Sequence, residues 1–364
     1  MNNKFTADEI LPAFKDNYSV WALRSSNEYV PYLLACLASF AAHMDVNHNY
    51  DVLVFESKIT PKNKEIIRSF LARPNVSVRF VNPREVLAQY ELRFPAHYSL
   101  ECFFSVTAPL MLKNYSRVLF TDLDVIIRRD LRELYEIDLH GKPMAAALDY
   151  AAKGMFESKN WDLLAYTTDS LKLANPRVYY NTGVCVFDLD YFRAHNCTAE
   201  LLQMLHGSNF RYLEQDALNI YFQGKIRELP VCWNWPPKNS YFNDIWAKMP
   251  PADRRAYEAA EREAGVVHYI GIKPWVNPEE HSAWLWWGYF RQTPLYETWM
   301  LENLRTSVRR LIWELPRCKV SGYWFALLGR AALLSRHRKA FREKARLYQE
   351  KLLHGNWNLS FFKR

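Results

Sequence analysis

Two carboxylates, Asp122 and Asp124, interrupt the otherwise apolar stretch RVLFTDLDVIIRR at residues 117–129. The run reads as a buried strand, where a carboxylate is costly unless it is paired or bound to a metal. Residues i and i+2 of an extended chain point the same way, so this spacing predicts two acids offering oxygens to one cation. Hard divalent cations take oxygen ligands and bridge proteins to phosphates. Far away in sequence, VVHYIGIKPW (266–275) ends a predicted strand with His268, then Gly271 and Lys273. Imidazole suits manganese and other transition metals, and a lysine beside a glycine can meet a phosphate as a point charge. Each element is weak alone. A lone histidine is more often a satisfied polar residue, and a lysine more often solvated. A second D-x-D, Asp188-Leu189-Asp190, precedes a helix-like stretch and reads as a helix start with Asp190 as cap. Together, Asp122, Asp124, His268 and Lys273 make a coherent set: three ligands for a cation and an ammonium for a diphosphate.

The elements that must position this set alternate between strand and helix patterns. Strands are predicted at 19–26, 51–55, 76–81, 144–149, 183–188 and 266–270. Helices are predicted at 30–44 with Pro31 in the first turn, at 61–72, from 82 behind Asn82, and at 99–113. Such alternation predicts an α/β fold with a mostly parallel sheet covered by helices. Ligands bind such sheets at the carboxyl ends of the strands, where Asp122 and Asp124 would lie.

Composition sets the outer bounds. The 364 residues are 49% hydrophobic, enough for a sizeable core and against disorder. Thirteen Trp and 22 Tyr suit sugar stacking, but they suit core packing more often and carry no functional weight alone. The first 18 residues lack the apolar segment of a signal peptide, and no window of about 18 residues is free of charge. Six scattered cysteines without a C-x-x-C pair argue against a zinc site or a disulfide framework and point to the reducing cytosol. Residues 291–364 carry 16 Lys+Arg against 5 Asp+Glu, a net +11, leaving −3 for the rest of a chain whose total is +8. An apolar, aromatic stretch at 320–334 beside a basic helix-like stretch at 336–353 suits an anionic membrane surface. No RNA- or DNA-binding motif accompanies the charge, so nucleic acid is not expected. The predicted division is a catalytic domain over 1–290 and a basic, partly apolar helical region over 291–364.

At these motifs the chain resembles the retaining glycosyltransferases of family 8, which include bacterial lipopolysaccharide galactosyl- and glucosyltransferases and glycogenin. The likeness runs from about residue 19 to 298 through VLFTDLDVII, AALD, YYNTGV, EQDALN, CWNW, HYIGIKPW and RQTPLYE. The resemblance implies a GT-A fold with a Rossmann-like, mostly parallel sheet. It also implies a UDP-hexose donor, Mn²⁺ with Mg²⁺ as substitute, and transfer of glucose or galactose with retention. It casts Asp122, Asp124 and His268 as metal ligands, and Gly271 and Lys273 as the diphosphate contact. Asp149, Asn181 and Thr182 would touch the donor sugar. Gln215 would lie beneath the anomeric carbon with Asp216 beside it, and Tyr29 would pack on the uracil. The expected acceptor is lipopolysaccharide core or another lipid-linked or polysaccharide glycan, at the inner face of the bacterial inner membrane. There are departures. The family's usual D-D-N-Y is here Ser26-Asn27-Glu28-Tyr29, which weakens the ribose and uracil contacts. Its usual arginine after two aromatics is Ser105 after Phe103-Phe104, which removes a cation expected near the donor. The Gly271-Ile272-Lys273 loop is one residue shorter than the commonest form.

Two other readings compete. A phosphatase could use Asp122 as nucleophile and Asp124 as general acid, but such enzymes follow the pair with Thr or Gly-Thr, and here Val125-Ile126-Ile127 follows. A non-catalytic glycan- or nucleotide-binding relative would explain Ser26, Glu28 and Ser105 as decay of the donor site, but the metal set is intact.

Overall fold

The computed structural model describes residues 10–90, 92, 100–309 and 343. The strands are β1 (Tyr18–Ser25), β2 (Asn49–Glu56), β3 (Val76–Val81), β4 (Arg117–Thr121), β5 (Val125–Ile127), β6 (Met144–Leu148), β7 (Tyr180–Asp188), β8 (Ile226–Leu229) and β9 (Val266–His268). Seven form one sheet in the order β3-β2-β1-β4-β7-β6-β8, and β5 pairs with β9 in a second, two-stranded sheet. In the large sheet β7 runs against its two neighbours, and the other pairings are parallel. The expected mostly parallel sheet with flanking helices is therefore present.

The central strands are buried on both faces, as their unbroken apolar runs require. Val20 to Leu23 of β1 and Val52 to Phe55 of β2 are fully shielded. Helix α1 (Val30–His43) carries Pro31 in its first turn and buries ten of its fourteen residues. It also anchors the small sheet, because the Ser39 hydroxyl accepts from the Ile127 amide at 2.9 Å and donates to the Cys36 carbonyl at 2.6 Å. Much of the aromatic content goes into packing: Tyr257 stacks on Trp235 and Trp246 at centroid distances of 5.4 and 5.2 Å.

Three expectations change. The apolar run at 117–129 is two strands in two sheets, not one: the chain leaves β4 after Thr121, turns through Asp122-Leu123-Asp124, and enters β5. Both flanks are fully buried, so the apolar pattern is continuous across the break and hides it. Strand β8 was not expected from its pattern; its IREL sequence carries two charges. The helix at Leu189–Ala194 is capped by Asp188, which accepts from the Tyr191 amide at 2.8 Å, while Asp190 pairs with Arg193.

The chain divides into two compact units, Met1–Pro274 with Pro278–Thr293, and Trp275–Asn277 with Pro294–Arg364. The first contains every residue of the candidate site. In the second, the helix Tyr296–Arg309 is described. The stretches 320–334 and 336–353, expected to meet a membrane, lie outside the described residues except for Glu343. Among the described residues no helix is long and apolar enough to cross a membrane.

Candidate active site

The break between β4 and β5 builds the site. On the β4 side, the Asp122 amide continues the ladder to Gly183 on β7, donating to its carbonyl at 2.8 Å. On the β5 side, Val125 pairs with His268 of β9, and the Tyr269 amide donates to the Asp124 carbonyl at 2.9 Å. Two sheets thus bring two distant segments of the chain to one point. Oxygens of Asp122 and Asp124 and a ring nitrogen of His268 lie within 4.8 Å of one another. His268 Nε2 stands 3.7 Å from Asp122 Oδ2 and 3.4 Å from Asp124 Oδ1.

The fit to a divalent cation rests on two further observations. Gly183 has no room for a side chain: a Cβ there would stand 2.2 Å from His268 Cε1 and 3.0 Å from Asp122 Oδ2. The role of His268 Nδ1 is also fixed. Asn181 Oδ1 accepts from the Gly183 amide at 3.0 Å, and Asn181 Nδ2 donates to Asp149 Oδ2 at 3.2 Å. Asn234 must then donate Nδ2 to Asn181 Oδ1, at 2.9 Å, and turn its own Oδ1 to His268 Nδ1, also at 2.9 Å. Nδ1 therefore carries a proton, and Nε2, which faces the two aspartates, is the nitrogen that would give a cation its lone pair, the arrangement that metal-ligating histidines need. Two carboxylates and an imidazole suit Mn²⁺, and Mg²⁺ less well.

The surrounding charges are balanced. Lys273 pairs with Asp124 and donates to the Tyr269 carbonyl at 2.6 Å. Burial alone would raise the Asp124 carboxyl, but Lys273 and His268 outweigh it and hold it well below the usual carboxylate range. Gly271 has φ +74°, and a Cβ on it would stand 2.8 Å from Phe242, so the loop that delivers Lys273 requires glycine twice over.

Next to the cation point lies an amide-rich wall. Asp149 caps a short helix by accepting from the Ala152 amide at 3.0 Å, and its other oxygen accepts from Asn181 and from Gln215 Nε2 at 3.3 Å. Gln215 Oε1 in turn accepts from the Thr182 amide at 3.1 Å. Asp149, Asn181, Asn234 and His268 line one small cleft. Asp216, beside Gln215, is fully engaged by other partners. It accepts from the hydroxyls of Tyr166 at 2.6 Å and Tyr179 at 2.5 Å and from the Tyr212 amide at 3.0 Å. Burial pushes its carboxyl up from the ordinary value, and the two tyrosine hydroxyls offset part of that rise.

Ser26 and Tyr29 lie just after β1, where the chain turns into α1. The Ser26 hydroxyl donates to Glu28 at 3.0 Å, and Tyr29 is 38% exposed. Burial, then the charge of Asp124, raise the Tyr29 phenol. Ser105 supplies no cation, as its sequence implied. It is buried, and among the described residues its hydroxyl has no hydrogen-bond partner.

The match to known proteins agrees with this geometry. The model of the family "Glycosyl transferase family 8" matches residues 20–278. The chain belongs to glycosyl transferase family 8. General stress protein A of Bacillus subtilis is 22% identical over 266 residues, covering 71% of this chain and 87% of that protein. A putative glycosyltransferase of Haemophilus influenzae is 24% identical over 234 residues, covering 62% and 67%. Among solved structures, the bifunctional glycosyltransferase WbbM superimposes with a TM-score of 0.71 at 27% identity over 80% of this chain. This chain spans about half of WbbM, 52% of its length. An active-site mutant of LgtC superimposes with a TM-score of 0.61 at 21% identity, covering 76% of this chain and 96% of LgtC. The fold is thus the Rossmann-like GT-A type, and this family 8 member is a glycosyltransferase.

Sequence reasoning missed four residues of the site: Arg24, Gly183, Glu214 and Asn234. Gly183, Glu214 and Asn234 sat inside quoted motifs without a role. Arg24 carried the signal that exposed Asp122, a charge at the end of an apolar strand.

Proposed function

We propose that the protein is a retaining hexosyltransferase that moves glucose or galactose from a UDP-sugar to a glycan acceptor. The observation that carries this reading is the convergence of Asp122 Oδ2, Asp124 Oδ1 and His268 Nε2 on one point, beside Lys273 and the Asp149–Gln215 wall, in a family 8 chain. Asp122, Asp124 and His268 would hold the divalent ion, which when bound stabilises negative charge gathering on the departing diphosphate. Lys273 would exchange its Asp124 contact for a phosphate oxygen and add a second positive charge there. Asp149, Asn181 and Thr182 would hold the donor sugar, with Gly271 giving the diphosphate close access to backbone and Tyr29 and Ser26 facing the nucleoside.

In the transfer, the bond from the anomeric carbon to the phosphate oxygen breaks, and the acceptor oxygen bonds the same face of the sugar. The acceptor proton passes to the leaving phosphate oxygen, and UDP departs. Gln215 is neutral and a poor nucleophile, and its amide is tied to Asp149 and Thr182. Asp216 could serve a covalent route only by giving up its tyrosine partners. Both observations favour the front-face route over a glycosyl-enzyme.

LgtC has been solved as a galactosyltransferase with donor and acceptor sugar analogues. By that analogy the acceptor is a sugar, and the resemblance to the bacterial members of the family makes lipopolysaccharide core or a related cell-surface glycan the proposed acceptor class. The +11 charge of residues 291–364 supports contact with an anionic membrane surface, at the inner face of the bacterial inner membrane. The deciding experiment screens UDP-sugars for Mn²⁺-dependent hydrolysis without acceptor. Turnover of UDP-glucose or UDP-galactose that EDTA abolishes is expected. Hydrolysis of phosphate monoesters without any UDP-sugar turnover would transfer the site to the phosphatase reading.

A further inference from the structure

Arg24 takes no part in the chemistry above, yet it stands at the centre of its charges. It rises from the end of β1, after the fully buried Val20 to Leu23. Its guanidinium divides between two acids. Nη2 donates to Asp122 Oδ1 at 2.6 Å, and Nη1 reaches Glu214 Oε1 at 2.5 Å and the Cys102 carbonyl at 2.7 Å. The Arg24 and Glu214 side chains are 15% and 6% exposed. Burial works against the Arg24 charge, but Asp122 and Glu214 outweigh it and raise the group well above its ordinary value.

The two aspartates are therefore treated alike. Asp122 gives Oδ1 to Arg24, and Asp124 gives Oδ2 to Lys273. Each is left with one oxygen turned to His268. The two cations differ in what they can do next. Lys273 is 28% exposed and can turn to a phosphate. Arg24 cannot leave without stranding the Glu214 carboxylate in the interior, which is strongly unfavourable. Glu214 also opens the helix Glu214–Tyr221 and immediately precedes Gln215.

We propose that Arg24 is a positioning residue: it holds Asp122 so that Oδ2 alone faces the metal point, and through Glu214 it ties that oxygen to the backbone carrying Gln215. The proposal rests on the reading of a divalent ion at Asp122, Asp124 and His268. It depends on the planar fork of arginine, since a lysine is a single point charge that cannot bridge both acids in this geometry.

The test is Mn²⁺ binding to the full chain without donor, read from the loss of the free aqueous Mn²⁺ signal in electron paramagnetic resonance. UDP-hexose hydrolysis is measured in parallel. Arg24→Met and Arg24→Lys are each expected to weaken Mn²⁺ binding by about 10- to 100-fold, the usual effect of losing a partner that orients a ligand, at unchanged stoichiometry. Both should also lower kcat, because Gln215 loses its tie. Wild-type Mn²⁺ affinity in Arg24→Lys overturns the proposal, because charge without the fork then suffices. Fewer sites at unchanged affinity overturns it as well, because that is the mark of structural damage alone. If Arg24→Met does not fold, Arg24→Lys decides the question. A wild-type chain that binds no Mn²⁺ overturns this proposal together with the metal reading beneath it. Wild-type binding with unaltered variants overturns this proposal alone.

Discussion

The cation end and the sugar end of the site solve the problem of burying polar groups in opposite ways. At the cation end, Asp122, Asp124 and Glu214 face Arg24 and Lys273, so charge is met by charge. At the sugar end, Asp149 is satisfied by Asn181, Gln215 and an amide of its own helix, and Asp216 by two tyrosines. Neutral donors cancel no charge, but they fix direction. The difference matches what each end has to hold. A diphosphate brings charge and needs counter-charge, whereas a hexose brings hydroxyls and needs fixed donors and acceptors. The join between the ends is Asn234, which donates to Asn181 on one side and accepts from His268 on the other.

The largest expected effect comes from removing charge at the cation end. Asp124→Asn keeps the shape but deletes a ligand charge and the partner of Lys273. UDP-sugar hydrolysis is expected to fall by at least about 10³-fold, with far-UV circular dichroism unchanged. Turnover within tenfold of wild type would separate the catalytic site from this cluster. Gly183→Ala adds no charge and attacks the same end by bulk. Its Cβ would stand 2.2 Å from His268, so the ring or β7 must shift. A displacement of that size is expected to cost about 10²-fold in kcat and to weaken Mn²⁺ binding, read by titration in the presence and absence of UDP.

The same contrast explains what could be read from residues alone. Carboxylates in an apolar run are conspicuous because each has an energetic cost, and that is how Asp122 and Asp124 stood out. His268 and Lys273 followed because they closed the chemistry. The break that separates β4 from β5 was not legible, because Val118 to Phe120 and Val125 to Ile127 are equally buried on either side of it. Asn234 was invisible for a different reason. A neutral amide among Trp233 and Trp235 reads as a loop residue, and its role exists only once β9, the loop before it and β7 are side by side. Gly183 likewise reads as an ordinary strand glycine until His268 is seen pressed against it. Arg24 was legible in principle, by the argument applied to Asp122, since a cation leaving a buried strand also needs a partner.

A more moderate effect is expected at the join. Asn234→Ala removes the acceptor that keeps the proton on His268 Nδ1, freeing the ring to rotate or take the other tautomer. Mn²⁺ affinity is expected to fall by about 10- to 100-fold. The sugar end should suffer as well, because Asn181 loses one of its donors. An unchanged Mn²⁺ affinity would show that the two ends are independent.

The smallest effect, and the sharpest test of the comparison, is in the sign of a pH slope. Asp124 is held below its ordinary carboxylate value, so its contribution to stability is present above the unfolded-state value, near 4, and is lost as pH falls below it. Asp216 is pushed above its ordinary value, so its contribution is fully present below that same point and is lost as pH rises through the folded-state value. Melting temperatures in EDTA, taken between about pH 3 and pH 7, should therefore diverge in opposite directions. The wild type should gain on Asp124→Asn as pH rises, and lose ground to Asp216→Asn over the same range. Parallel slopes would mean that the charged end and the neutral end handle a buried carboxylate alike, and the distinction drawn between them would fail.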